Sequence, residues 1–216
     1  MEKRDEILAE ARLFVRDQLS SDTTGHDWWH VERVTNLACQ IAREVQADVY
    51  VCELAALLHD VADYKIAGDE ATGLRRVSDW LEDRHVADVV SKPVLEIIAT
   101  LSFAGGNQPP MRTLEGQVVQ DADRLDAIGA IGIARAFAFG GSRGRTLYDP
   151  EQPPSTYASK EAYHKSNSST INHFYEKLLW LKDRMNTAPA RQLAEERHRY
   201  LETFLDEFLE EWQGHR

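Results

Sequence analysis

An all-α fold is predicted for this chain on three observations. Apolar residues recur at helical spacing nearly throughout, no segment gives a convincing strand alternation, and only 12 Gly and 7 Pro interrupt 216 residues. A hydrophobic content of 43% is enough to bury one substantial core, so a single domain over 1–216 is expected.

The first helix is placed at about 4–19, and the turn-forming segment Ser20–Gly25 ends it. In the next, at about 28–46, Val31, Val34, Leu37, Ala38, Ile41 and Val45 share one face, and Asp27 or Thr24 is the candidate cap. The run Val49–Leu58, VYVCELAALL, is apolar on almost every side and suits a helix buried at the centre of a bundle. Further helices are expected at about 70–84, 91–101, 115–138, 168–185 and 188–212. In the last, Leu201, Phe204, Leu205, Phe208 and Trp212 form a stripe suited to docking. Residues 139–167 are left as the one long irregular stretch, of a length often found in lids and binding loops. The metal-site core is expected at about 26–130, with that loop and the helices of 168–212 packed on it.

Composition narrows the function. No apolar run reaches the roughly 20 residues a membrane helix needs, and the charged N-terminus MEKRDEILAE does not read as a secretory signal, so a cytoplasmic protein with no membrane partner is expected. A net charge of −11 disfavours nucleic acid as a partner. Cys39 and Cys52 lie in apolar helical patterns and read as buried thiols rather than a disulfide or zinc pair.

The chemistry begins at His59 and Asp60. Ionisable groups at the end of a buried helix are costly unless they are paired or ligate a metal. His30, four residues before Val34, should face the same core and offer a second nitrogen. In VVQDADRLDAIGAIGIARAF, Asp123 shares a face with Val119 and Ala127, whereas Asp121 and Asp126 are turned away by roughly 160° and 60°. Asp123 is therefore the preferred carboxylate ligand, and Asp126 a candidate to support it. Two imidazoles and two carboxylates suit Mn²⁺, Fe²⁺, Co²⁺, Ni²⁺ or Zn²⁺ and leave positions open for water and a substrate oxygen.

His30, then His59-Asp60 after an apolar helix, then Asp123, follow the H…HD…D order of the HD-domain superfamily of metal-dependent phosphohydrolases, which this chain resembles. GHDWWHVERV, LAALLHDVADYK and QDADRLDAIGAIGIARAF are similar to the small stand-alone bacterial HD proteins that act on nucleoside triphosphates. The resemblance continues through FYEKLLWLKDRMNTAPARQLAEERHRYLETFLDEF and so covers nearly the whole chain. It implies an HD-fold helical bundle with one divalent metal, Mn²⁺ first and Mg²⁺ included, bound by His30, His59, Asp60 and Asp123. It also implies hydrolysis of a phosphoanhydride or phosphoester of a small anionic substrate, a (d)NTP leading, by a metal-activated water. The Gly-Tyr-Pro motif of the cyclic dinucleotide phosphodiesterases of this superfamily is not found.

Around this set, Asp63 could orient or deprotonate the attacking water and Lys65 could neutralise a phosphate oxygen, or both could lie in a solvated loop after the helix end. His26 and Asp27 either support the ligands or belong to the cap of the second helix. Arg33, Arg124, Arg143, Arg145, Lys160, Lys165 and Lys177 are the cations available for phosphate. Arg143 and Arg145 lie in GGSRGRT, which is a lid or an ordinary surface loop. Trp28 and Trp29 read as packing rather than a base-stacking platform. The alternative function is a non-catalytic metal-binding HD module that senses or regulates. A nuclease is a further rival, and a homodimer is left open.

Overall fold

The computed structural model describes residues 2–19, 27–62, 70–101, 110–155 and 168–216. The described residues contain α-helices and short 3-10 turns and no strand, so the all-α expectation holds. They divide into two compact units, Met1–Ala122 and Asp123–Arg216.

The first unit holds α1 (Glu2–Gln18), α2 (Trp28–Val45), α3 (Val49–Leu58), α4 (Glu70–Asp83), α5 (Asp88–Thr100) and most of α6 (Leu114–Asp126). The centre is α3, which packs against α1, α2 and α5, and every residue from Leu54 to Leu58 is wholly shielded from solvent. Burial on nearly all sides is what its sequence, apolar except at Glu53, requires. Gln46 ends α2 in the left-handed region at φ 60°, and Asp48 caps α3 by accepting from the N–H of Tyr50 at 2.9 Å and of Val51 at 3.2 Å. Arg12 of α1 binds Glu32 of α2 at 2.7 Å and Glu53 of α3 at 2.9 Å, fixing three helices with one guanidinium. On α4 the residues Gly73, Val77, Trp80 and Leu81 face inward, and Phe14 of α1 stacks on Trp80 with ring centroids 5.6 Å apart.

Helix α5 starts earlier than expected, at Asp88, and carries Pro93 inside it. A proline there removes one bond to the carbonyl four residues back, at Val89, a residue that is strongly exposed. Water can take that carbonyl, so the helix tolerates the loss.

The second unit corrects three expectations. The helix expected at 115–138 is two helices, α6 and α7 (Gly129–Ser142). The N–H groups of Ala127 and Ile128 reach back only three residues, Ile128 is extended, and Gly129 turns with φ +75°. That conformation is one only glycine adopts cheaply. The helix expected at 168–185 is a short α8 (Thr170–Glu176), because Lys177 leaves the helical region at φ −142°, and 3-10 turns Leu178–Trp180 and Lys182–Arg184 follow. The irregular stretch begins at Arg143 rather than at 139, since GGS is the last turn of α7. Its described part, up to Ser155, is held to α8 and the residues around it: Thr170 and Ile171 donate to the carbonyls of Thr146 and Leu147, and Asn172 donates to Gln152 O at 2.8 Å. The rest of the stretch, 156–167, lies outside the described residues.

The long C-terminal helix α9 (Ala188–Trp212) matches its expected bounds. Phe137 of α7, Phe174 of α8 and Phe204 of α9 form one aromatic cluster, with Phe174 stacked on Phe204 at 5.6 Å. The docking stripe is buried at Leu201 and Leu205 and reaches the surface at Phe208 and Trp212, where Tyr148 packs edge-on to both.

Candidate metal centre

Three of the expected ligands come together. One donor atom from each of His30, His59 and Asp60 can be chosen so that all lie within 4.8 Å of one another. His30 is 0% exposed, Asp60 4% and His59 7%, so the three polar groups sit in a place where burial has to be compensated.

Each ligand is placed by backbone chemistry at a helix end. Asp27 is the N-cap of α2, and its Oδ1 accepts from the backbone N–H of His30 at 2.9 Å. Of the two readings of Asp27, the structure shows the cap. The cap fixes the first turn of α2 and with it the point from which the His30 side chain departs. His59 stands at the C-terminus of α3, where the last carbonyls lack intrahelical partners. Its Nδ1 lies 2.7 Å from Ala56 O. That contact favours the tautomer with the proton on Nδ1 and turns the Nε2 lone pair toward the cluster. Asp60 follows in the 3-10 turn His59–Ala62, which tightens the chain after α3 and brings the carboxylate back between the two rings. Asp60 Oδ1 is 3.3 Å from His59 Nε2, Asp60 Oδ2 is 3.4 Å from His30 Nε2, and the two rings meet edge-on with centroids 5.4 Å apart.

These separations fit a metal. Ligands at about 2.0–2.2 Å from one ion lie roughly 3 to 4.4 Å from each other, depending on the angle between them. The nitrogen–oxygen distances fall inside that range, and a nitrogen and oxygen donor set suits a divalent first-row ion.

The other expected residues are placed as follows. Asp123 is half-buried on α6 and is the first residue of the second unit. The expectation that rotation about α6 singles it out as the inward carboxylate is corrected: Asp121 and Asp126 are at 0% and 1% exposure. Gln120, Asp121, Ala122, Leu125 and Asp126 are all buried, so α6 has no single inner face and angular position does not rank its aspartates. Asp126 binds Arg135 at 2.8 Å, and Arg197, whose pKa is drawn down by burial, has Asp126 acting in the opposite sense. Neither arginine was singled out in the sequence. The signal was there only as spacing, since Arg135 lies nine residues beyond Asp126 across the Gly129 corner.

Among the expected cations, Arg33 is half-buried on α2, and Arg124 donates to the backbone carbonyl of Arg184. Arg143 and Arg145 both lie over the Phe139 ring, at 5.4 and 5.6 Å from its centre. Lys177 stands at the end of α8 close enough to His173 to act on it, as does Arg145. Burial pushes the His173 imidazole down to about 3, and those two cations push the same way. His173 was also missed in the sequence. Asp63, Lys65, His26, Lys160 and Lys165 lie outside the described residues. Trp28 receives Arg16 over its ring, while Trp29 is largely exposed.

Comparison with known proteins agrees with the fold. The HD domain family matches residues 28–128. The chain is 42% identical to YpgQ of Bacillus subtilis over 94% of its own length and 92% of that protein's. A Lactobacillus plantarum structure aligns with a TM-score of 0.87 at 37% identity, covering 97% of this chain and 98% of that one. An HD-superfamily hydrolase from Bacillus thuringiensis aligns at 0.76 with 47% identity, again over 97% and 98%. The structure of B. subtilis YpgQ in complex with ADP aligns at 0.77 and 37% identity over 97% and 96%. By this family match and by near-complete alignment with an HD-superfamily hydrolase at 47% identity, the chain belongs to the HD-domain superfamily of hydrolases.

Proposed function

We propose that this protein is a metal-dependent phosphohydrolase acting on a small anionic substrate, a nucleotide such as a (d)NTP first. The observation that carries the reading is the buried His30, His59 and Asp60 cluster, whose donor distances suit one divalent ion. Near-complete alignment with relatives of similar length supports treating residues 1–216 as one functional HD domain. The nucleotide is suggested by B. subtilis YpgQ, a relative whose structure holds ADP.

In this reading Asp123 supplies the fourth ligand, on the strength of the H…HD…D order. A divalent ion, Mn²⁺ first, brings a Lewis acid for a phosphoryl oxygen and a means of making water nucleophilic near neutral pH. The protein's own part is positioning. Ala56 O holds the His59 ring in one tautomer, Asp27 holds the helix start at His30, and both leave the imidazole Nε2 atoms pointing at the same place as the Asp60 carboxylate. Asp63 is assigned to take the proton from the attacking water and Lys65 to neutralise a phosphate oxygen. Arg143, Arg145 and Lys177 are the cations assigned to hold the anion, with Arg33, Arg124 and Lys165 as further contacts.

The test is release of phosphate and pyrophosphate from a panel of nucleotides and phosphoesters by metal-stripped protein resupplied with Mn²⁺, Mg²⁺, Co²⁺, Ni²⁺ or Zn²⁺. Metal-dependent release that His59→Ala and Asp60→Ala abolish, with the helical circular dichroism intact, is the expected result. Retained turnover in either variant refutes the site. Silence across the panel with the metal bound favours a sensing module instead.

A further inference from the structure

We propose that Gly73 is a positioning residue for the metal centre, holding the His59–Ala62 turn in register through direct backbone contact. The inference rests on the reading of His30, His59 and Asp60 as metal ligands.

Gly73 is buried in the first turns of α4, at the head of the stripe that continues through Val77, Trp80 and Leu81. A glycine inside a helix is unfavourable compared with alanine, so its presence there asks for a reason. The reason is on the opposite side of the contact. A Cβ built on Gly73 would lie 2.6 Å from Ala62 Cα, 2.7 Å from Ala62 O and 2.9 Å from its carbonyl carbon. All three are backbone atoms, and none is the far end of a side chain that can swing away.

Ala62 closes the four-residue 3-10 turn that starts at His59 and contains Asp60. The other end of that turn is fixed by α3, whose last residues are wholly buried and whose Ala56 carbonyl holds the His59 ring. The turn is thus clamped between α3 and α4, and Gly73 is where the α4 side of the clamp reaches contact. Restoring an ordinary separation of 3.4 Å from 2.6 Å needs a movement of about 0.8 Å between α4 and the turn. Metal sites keep their ligand distances within about 0.2 Å, and changes just outside the ligands typically cost 10- to 100-fold in metal affinity. Gly73→Ala therefore displaces the turn by more than the site tolerates, although residue 73 offers the ion no donor.

The experiment is a Mn²⁺ titration of the full chain, reading free Mn²⁺ by electron paramagnetic resonance, on the parent, Gly73→Ala and Val77→Ala. Val77 lies one turn further along the same buried stripe, so its truncation loosens α4 without pushing on Ala62. The expected result is a 10- to 100-fold weaker dissociation constant for Gly73→Ala and one within about threefold of the parent for Val77→Ala. Equal weakening in both variants, or parental affinity in Gly73→Ala, overturns the proposal while leaving the metal reading intact. A parent that binds no Mn²⁺ overturns both. If Gly73→Ala yields too little folded protein, Ala62→Gly carries the test. It frees the same backbone from the other side and should weaken binding several-fold, and parental affinity there overturns the proposal.

Discussion

Replacing Arg135 by methionine should destabilise the protein by about 3 kcal/mol, because it takes a close cationic partner away from a buried carboxylate. Asp126 has a side chain only 2% exposed, and Arg135, at 17%, holds it at 2.8 Å. At an effective dielectric of about 20, two charges some 4 Å apart attract by roughly 4 kcal/mol, and most of that attraction offsets their desolvation. Deleting one partner removes the attraction and leaves the desolvation of the other, which typically costs about 3–5 kcal/mol. Arg197 keeps some positive potential on Asp126, which sets the expectation at the lower end of that range. Methionine preserves most of the stem volume, so little of the effect comes from a cavity. Asp126→Asn removes the charge and keeps an acceptor, and should cost less, about 1–2 kcal/mol. Urea unfolding followed by circular dichroism on both single variants and the double closes a cycle, with an expected coupling above about 1 kcal/mol. For a chain of 216 residues the Arg135→Met loss corresponds to a fall in Tm of roughly 6–12 °C. A single-variant cost below about 1 kcal/mol, or additivity in the double, would refute the argument. Mn²⁺ affinity of Asp126→Asn within about threefold of the parent would place this carboxylate's role at the Gly129 corner rather than at the metal, and a 10- to 100-fold loss would reverse that assignment.

Metal removal should register as stability: Mn²⁺ at 100 times its dissociation constant adds about 2.7 kcal/mol to the folded state, a rise in Tm of roughly 5–10 °C, and a chelator or His59→Ala should abolish it. A Tm indifferent to the metal would count against the centre. His173, held neutral in the fold down to about 3 against 6.5 unfolded, leaves the unfolded chain binding the extra proton between those values. Stability should fall with pH below about 6.5, with this group contributing up to about 1.4 kcal/mol per pH unit, and His173→Asn should flatten that limb in urea unfolding at pH 6.5 and 4.5. An unchanged slope would refute it. Burial, with the Glu53 carboxylate acting the same way, pushes the Cys39 thiol up to about 11, and burial pushes Cys52 up as well. Neither should react with a disulfide reagent at pH 8 until urea unfolds the protein, and rapid labelling of native protein would contradict the burial.

The sequence by itself determined the helical class, the bounds of α2, α3 and α9 to within a residue or so, and the gathering of His30 with His59 and Asp60. The class and the bounds were legible because they are local: helical period, a capping Asp27 and an apolar run ending in His-Asp are each written within a few residues. The grouping of His30 with His59 and Asp60, which lie on different helices, was legible through the H…HD…D order and the inward face of His30 rather than through any local pattern. The tertiary structure decided what depends on contacts between distant segments. It broke the helix expected at 115–138 at Gly129, where a corner packs against Arg197, and it stopped the helix expected at 168–185 at Lys177. It buried Asp121 and Asp126, because α6 is shielded on more than one side and the angle between residues on a helix cannot say which sides are covered. It paired Asp126 with Arg135, two charges that an unfolded reading treats as independent. Above all it set Gly73 against Ala62: a glycine in a helix carries no visible chemistry, and its meaning is the absence of a side chain at a point where another backbone passes.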